Sequence, residues 1–69
     1  MYDSSKLGEN IKRLRRERSL TQAELAERVH ITAQNISKWE RGLCLPDVDK
    51  LCILARVLNV GMDALLSVS

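Results

Sequence analysis

The sequence predicts an all-α domain, a compact bundle of five short helices. Apolar residues recur every three or four positions along most of the 69 residues, which is the spacing that lines one side of an α-helix. No stretch alternates with the period of two that a half-buried β-strand requires. A chain of this length has room for one core, so residues 1–69 are expected to form a single domain.

The first predicted helix covers about residues 5–18, with Ser4 or Ser5 as its N-cap. Its apolar face consists of residues spaced four and three apart, namely Leu7, Ile11 and Leu14. The helix ends before a break in the apolar pattern at Ser19.

The second and third predicted helices cover about residues 22–29 and 33–41, and each has its own start signal. Thr21 and Glu24 have the spacing of a capping box, and Thr32 has the position of a hydroxyl N-cap. The connection between the two helices is only a few residues long. This arrangement is typical of a helix-turn-helix unit, whose second helix can lie in the major groove of DNA.

The third helix divides into an apolar and a polar side when its residues are placed at intervals of about 100°. Ile36 and Trp39 fall on the side expected to face the core. The opposite side carries amide, hydroxyl and cationic groups and no carboxylate. Its members are Gln34, Ser37, Lys38 and Arg41, with Ala33 at the edge. Because such groups bind base edges and phosphates, this side is predicted to face DNA.

Two further helices are predicted at about residues 48–58 and 62–67. Gly42 is placed to end the third helix in the left-handed conformation, and Asp47 is placed to cap the fourth. The predicted core positions of these two helices are Val48, Leu51, Leu54, Ala55, Leu58, Met62, Leu65 and Leu66.

The charge is unevenly distributed along the chain. Residues 1–18 contain six cations and three acids, whereas residues 43–69 contain two cations and three acids. The net charge of +2 is too small to indicate a partner by itself. The uneven distribution does indicate one, because it leaves a basic face that suits phosphates. An ordinary solvent-exposed cationic helix explains this run of lysine and arginine residues equally well.

Composition and cysteine usage argue against secreted, membrane and metal-binding proteins. Cys44 and Cys52 form no Cys-x-x-Cys pair and His30 is the one histidine, so a zinc site and other metal sites are not expected. Free thiols are favoured over a disulfide. No apolar run approaches the roughly 20 residues of a membrane span, and the N-terminus has no apolar signal region. A cytoplasmic protein is therefore expected.

With these elements in place, the chain resembles the lambda-repressor-like helix-turn-helix family, of the Cro/CI or XRE type, over nearly its whole length. The matching segments are IKRLR at residues 11–15, LTQAELA at 20–26, ISKWERG at 36–42 and the apolar positions from Pro46 to Leu66. The order and spacing of these segments carry the resemblance. It implies a sequence-specific DNA-binding transcriptional regulator, a repressor, that reads the major groove with the helix at about residues 33–41.

The resemblance also implies roles for individual residues. Gln22 is similar to the family's glutamine that holds a backbone phosphate at a helix N-terminus. The positions that would face base edges are Thr32, Ala33, Gln34, Ser37 and Lys38, and those that would reach the DNA backbone are Asn35 and Arg41. Arg15 and Glu40 resemble a partly buried ion pair between the first and third helices; an ordinary surface pair is the alternative.

Two residues depart from the family pattern. His30 stands where the family prefers glycine, and we expect it to adopt the left-handed conformation with some strain. Ala33 stands where some members have an amide that reads a base, and it can offer only a methyl contact.

Catalysis is not expected, and neither is a cofactor, because so short a chain does not enclose a cleft with a nucleophile and a base. The alternative from another class is a protein-binding helix-turn-helix module, such as an antitoxin or an antirepressor partner. Such a module would present exposed apolar anchors on its third helix, and the predicted outer side has none.

The expected partner is double-stranded DNA, bound by a homodimer at a pseudo-palindromic operator, because one short helix contacts too few bases for strong discrimination. The residues expected to form the dimer contact are Ile53, Val57, Leu65, Leu66 and Val68. For Cys52, Ile53 and Val57, extra core against the fifth helix is the alternative to a self-association surface.

Overall fold

The computed structural model describes residues 4–66 as five helices. They are α1 (Ser4–Glu17), α2 (Gln22–Val29), α3 (Ala33–Glu40), α4 (Val48–Leu58) and α5 (Met62–Leu66). No strand occurs within this part of the chain. The five-helix prediction is confirmed; α1 lies one residue earlier than expected, and the predicted last residue of α5 lies outside the described residues. None of these helices is long and apolar enough to cross a lipid bilayer.

Side-chain caps explain where α2 and α4 begin, and a left-handed glycine follows the end of α3. The Thr21 hydroxyl accepts from the Glu24 N–H and the Glu24 carboxylate accepts from the Thr21 N–H, so the predicted capping box is confirmed. Hydrogen bonding to the Glu24 carboxylate, first by the Thr21 backbone N–H and then by the Thr21 side chain, lowers the pKa of Glu24. Asp47 caps α4 by accepting from the Lys50 N–H at 2.9 Å. Gly42 follows α3 in the left-handed region with φ 73°.

The predicted cap of α1 is wrong. Both Ser4 and Ser5 already lie inside the helix, so neither residue precedes it as an N-cap must.

One core joins all five helices. Its buried residues are Leu7, Ile11, Leu14, Leu25, Ala26, Val29, Ile36, Trp39, Leu51, Leu54, Ala55, Leu58 and Leu65. The prediction that Val48 belongs to the core is wrong, because this first residue of α4 is 70% exposed and no described side chain covers it. Met62 and Leu66 are half-buried against the core.

The helices pack so that α3 is held from behind. α1 packs against α3 and α5, α2 packs against α3 and α4, and α4 packs against α5. Because α1 and α2 cover the inner side of α3, its outer side remains free for a ligand.

The C-terminal residues expected to form a dimer contact belong mainly to the core. Leu65 is fully buried, and Ile53, Val57 and Leu66 are half-buried against the core. The fully buried Leu65 has no surface to offer a second copy, whereas a contact through the half-buried Ile53, Val57 and Leu66 stays a prediction; Val68 lies outside the described residues. Ile53 and Val57 pack against the core and keep part of their surface exposed, so both interpretations of these residues stay open, whereas Cys52 is exposed.

Candidate nucleic-acid interface

The turn between α2 and α3 fixes the direction in which the third helix leaves the second. His30 lies in the left-handed region, with φ 64° and ψ 44°, so its predicted conformation is confirmed. Its N–H bonds to the carbonyls of Ala26 and Glu27, and the Ile31 N–H donates to the Ala26 carbonyl at 2.9 Å. These bonds satisfy the carbonyls of Ala26 and Glu27 near the end of α2 and fix the conformation of the turn.

α3 has the two sides that its sequence predicted. Ile36 is fully buried and Trp39 is 6% exposed, which anchors the inner side in the core. On the outer side the exposed predicted site residues are Gln34, Asn35 and Lys38, followed by Arg41 as the C-cap. Ala33 and Ser37 are half-buried at the margins. The exposed Thr32 precedes the helix, and its hydroxyl accepts from the Asn35 N–H at 3.2 Å.

A buried ion pair ties the C-terminal end of α3 to α1. Arg15 Nε donates to Glu40 Oε2 at 2.6 Å and Arg15 Nη2 donates to Glu40 Oε1 at 3.1 Å. The side chains are 10% and 3% exposed, so the predicted pair exists and the surface alternative is wrong. Arg15 Nη1 also donates to the Leu20 carbonyl at 2.8 Å, which holds the segment that leads into α2. Paired charge-assisted bonds of this geometry fix position as well as add energy.

Gln22 joins the same network from the start of α2. Its Nε2 donates to Glu40 Oε1 at 2.9 Å, and the side chain is half-buried. This contact places Gln22 at the end of α3 where Arg41 follows Glu40. An amide carries two N–H donors. One is used by Glu40, which orients the other, so the predicted phosphate contact is compatible with this geometry.

The ion pair also determines the charge of the outer side. Glu40 is the one acidic residue of α3, and Arg15 holds its carboxylate inward. Lys38 and Arg41 remain exposed, and Arg41 Nε donates to the Ser37 carbonyl at 3.4 Å. The outer side of α3 is thus polar and cationic, which suits a polyanion.

Two residues that hold α1 in place, Asn10 and Gly8, were not identified from the sequence. Asn10 is buried and its Nδ2 donates to the Leu65 carbonyl at 3.0 Å, which links α1 to α5. Its position three residues after Leu7 on the apolar stripe was a usable signal, because a polar residue there has to find a partner. Gly8 lies against the backbone of α3, as an added Cβ would stand 2.4 Å from the Trp39 carbonyl oxygen.

Within residues 4–66 no group of three or more His, Cys, Asp or Glu side chains could hold a metal ion. Cys44 and Cys52 are free and exposed. A depression on the outer side of α1 is open to solvent and lined by charged residues of that one helix, so it does not enclose a substrate.

Comparison with known proteins places this geometry in a well-populated group. The model of the helix-turn-helix family HTH_3 matches residues 11–65. The P22 c2 repressor, solved in complex with a synthetic operator, superposes with a TM-score of 0.85 at 32% identity, covering 91% of this chain and 96% of that one.

Curated relatives show the same similarity in sequence. The transcriptional activator BcrR of Enterococcus faecalis is 37% identical over 59 residues, which cover 86% of this chain and 29% of BcrR. The transcriptional regulator ImmR of Bacillus subtilis strain 168 is 40% identical over 60 residues, which cover 87% of this chain and 47% of ImmR. The chain therefore spans less than half the length of either relative.

Proposed function

The chain belongs to the lambda-repressor-like helix-turn-helix family, and we propose on this basis that it is a sequence-specific DNA-binding transcriptional regulator that reads the major groove with α3. The proposal covers residues 1–69 as one DNA-binding domain of the cytoplasm without catalytic activity. Its mode of action is repression by occupying an operator, as the similarity to the P22 c2 repressor supports.

The observation that carries the proposal is the outer side of α3, where exposed amide and cationic groups stand on a rigidly held helix with no exposed carboxylate. A helix inserted in the major groove needs donors for guanine and adenine and must avoid repulsion from phosphates. A protein-binding module would instead present large apolar anchors there, and α3 turns Ile36 and Trp39 inward.

The proposed roles follow the position of each side chain. The residues assigned to base edges are Thr32, Ala33, Gln34, Ser37 and Lys38, and those assigned to the DNA backbone are Gln22, Asn35 and Arg41. Lys38 suits the acceptors of guanine, and Gln34 suits the donor and acceptor pair of adenine. Ala33 can contribute a methyl contact to thymine.

Selection of bound sequences from a pool of random duplexes, at two salt concentrations, tests the function itself. A specific consensus that persists at the higher salt concentration is expected, because base contacts discriminate while phosphate contacts weaken with salt. Retention of the pool without any consensus would contradict sequence-specific binding.

Gln34→Ala is expected to relax the preference at one base pair of that consensus. The loss should be about 1 to 3 kcal/mol against the preferred base, because the amide is exposed on the reading side. Titration of the selected duplex and its single-base variants by fluorescence anisotropy measures the effect. An equal loss of affinity for every duplex would contradict base readout.

Arg41→Ala supplies the contrasting variant. A backbone contact should weaken binding to all duplexes alike and reduce the slope of log K against log salt by about one. Arg28→Ala is the matched control, since it removes an exposed cation of α2 that is outside the proposed interface.

Two chains are expected to bind a full pseudo-palindromic site. Symmetric pairing would place two recognition helices about 34 to 36 Å apart, which is one turn of DNA. Sedimentation of the protein with half-site and full-site duplexes should give one and two chains respectively. One chain per full site at saturating protein would rule out the dimer.

A further inference from the structure

Two of the four exposed cations of α1 are paired with carboxylates of the same helix. Lys6 Nζ lies 3.7 Å from Glu9 Oε1, and Arg13 Nη1 lies 3.6 Å from Glu17 Oε2. Opposite charges that are three or four residues apart stabilise a helix slightly. The stability of α1 therefore accounts for these two cations.

Lys12 and Arg16 are the other two exposed cations, and they have no such partners. Neither forms an ion pair with another described residue, and Glu9, three residues before Lys12, pairs with Lys6 instead. Lys12 and Arg16 are also four residues apart, so their like charges are neighbours on the helix surface and repel each other. A local arrangement that costs stability is typical of a functional site. These two residues are called the α1 cationic edge below.

The helical period places the α1 cationic edge beside α3. Gly8 faces the backbone of α3, since an added Cβ there would stand 2.6 Å from the Glu40 carbonyl oxygen. At about 100° per residue, Lys12 is about 40° and Arg16 about 80° around the helix from Gly8. The two paired cations are about 140° and 160° away from Gly8 on the same scale. The unpaired cations therefore lie on the flank next to α3, and the paired ones lie on the far side.

This flank borders the same solvent as the outer side of α3. In the opposite direction around α1 from Gly8 lies the apolar stripe, which is buried in the core. Along the helix, Lys12 falls between Gly8 and Arg15, and both of these residues contact α3 at Glu40. Side chains of a helix lean toward its N-terminus, so Lys12 leans toward Gly8. Lys12 is therefore close to the end of α3, where the exposed Arg41 follows.

We propose that Lys12 and Arg16 bind phosphates of the DNA strand that passes the C-terminal end of α3, which makes α1 a further DNA-binding element. The proposal rests on the proposed function and adds two residues to it. Two cations without carboxylate partners suit a polyanion, because lysine binds phosphate as a point charge and arginine binds it through a fork of donors. Binding would also relieve the repulsion between the two side chains. Such contacts add affinity and fix the register without reading bases.

Salt dependence tests the contact with two matched double variants. The edge variant, Lys12→Gln with Arg16→Gln, removes two charges from the α1 cationic edge. The far-side variant, Lys6→Gln with Arg13→Gln, removes two charges from the same helix away from α3. Each phosphate contact contributes about 0.9 to the slope of log K against log salt, so the edge variant should have a slope smaller by about 1.8. Between about 50 and 200 mM salt, the unmodified protein should then lose about twelvefold more affinity than the edge variant.

The far-side variant should keep the slope of the unmodified protein, and equal slopes for the two double variants would overturn the proposal. The edge variant should also keep the ratio of affinities between the selected duplex and its single-base variants, because phosphates carry no sequence information. Loss of preference at one base pair would make this edge a base contact and contradict the proposal. The charge-preserving variant, Lys12→Arg with Arg16→Lys, should restore the slope, and failure to do so would contradict a phosphate contact.

Neutralising single phosphates locates the contact on the duplex. One phosphate at a time of the selected duplex is replaced by an uncharged methylphosphonate, and the affinities of the unmodified protein and the edge variant are compared. At one or two positions the replacement should weaken binding by the unmodified protein and have no effect on the edge variant, because the two changes remove the same contact. The same response of both proteins at every position would show that α1 does not bind the strand.

The failure of this proposal is distinguishable from the failure of the proposed function. Absence of any consensus for the unmodified protein would refute the proposed function. A specific consensus together with equal slopes for the two double variants would refute the role of α1 alone. Circular dichroism melting curves of both double variants show whether they are folded at the temperature of the titrations, and glutamine is chosen because it keeps a helix-forming side chain at each position.

Discussion

Glu40→Ala is expected to lower the free energy of unfolding by about 3 to 5 kcal/mol, the cost of leaving one member of a buried ion pair uncompensated. Arg15 would keep its charge in a site where its side chain is only 10% exposed. Gln22 would also lose the acceptor of its Nε2 donor. Since a domain of this size has about 3 to 10 kcal/mol of stability, much of the chain should unfold at moderate temperature. Thermal and urea denaturation followed by circular dichroism measure the change.

Glu17→Ala is the matched control for this substitution. Glu17 pairs with Arg13 at 3.6 Å, but the two side chains are 59% and 54% exposed. Its loss should cost no more than about 1 kcal/mol, because water screens an exposed pair. The same cost for Glu40→Ala would mean that the buried pair contributes no more than a surface pair.

The substitution should also weaken DNA binding where the protein remains folded. Glu40 joins α3 to α1 and, through Gln22, to the start of α2. Loss of these bonds would free the end of α3 that carries Arg41 and release Gln22 from its orientation. Half-site affinity measured below the melting transition should therefore fall for Glu40→Ala and stay constant for Glu17→Ala.

The starts of α2, α3 and α4 were predictable because the signals that set them are local. Thr21, Thr32 and Asp47 each bond to a backbone N–H three residues later, so their effect is written in adjacent sequence. Apolar periodicity identified the core for the same reason, since it depends on a single helix. Val48 shows the limit of that rule: the period places a residue on one side of a helix, but the neighbouring elements decide whether that end is covered.

The candidate site was predictable in part. The outer side of α3 follows from the helical period, and the pair of Arg15 and Glu40 followed from the family resemblance. The bond of Gln22 to Glu40 joins residues 18 positions apart and depends on how α2 crosses α3, which no local pattern specifies. The exposure of Leu43 and Leu45 could not be predicted, because the burial of a loop residue depends on how the neighbouring segments pack. Such long-range features belong to packing.

Gly8→Ala is expected to destabilise the protein, although the same change inside an exposed helix normally stabilises it by about 0.5 to 1 kcal/mol. The added Cβ would stand 2.4 Å from the Trp39 carbonyl oxygen and 2.6 Å from that of Glu40. These are backbone atoms that cannot rotate away, so α1 and α3 would have to separate. Overpacking of this kind costs about 1 to 3 kcal/mol, and more where backbone must move. The shift of the denaturation midpoint shows whether the substitution stabilises or destabilises the protein.

Gly61→Ala provides the control because its short contact has a different origin. The nearest atom to an added Cβ there is Asp63 Oδ1 at 2.5 Å, the end of a side chain that can change rotamer. A small change of either sign is expected at this position. Separation of α1 from α3 would also shift the Trp39 fluorescence of Gly8→Ala toward that of a more solvated indole. If Gly8→Ala were as stable as Gly61→Ala with unchanged fluorescence, the close approach of α1 to α3 at Gly8 would not be a determinant of the fold.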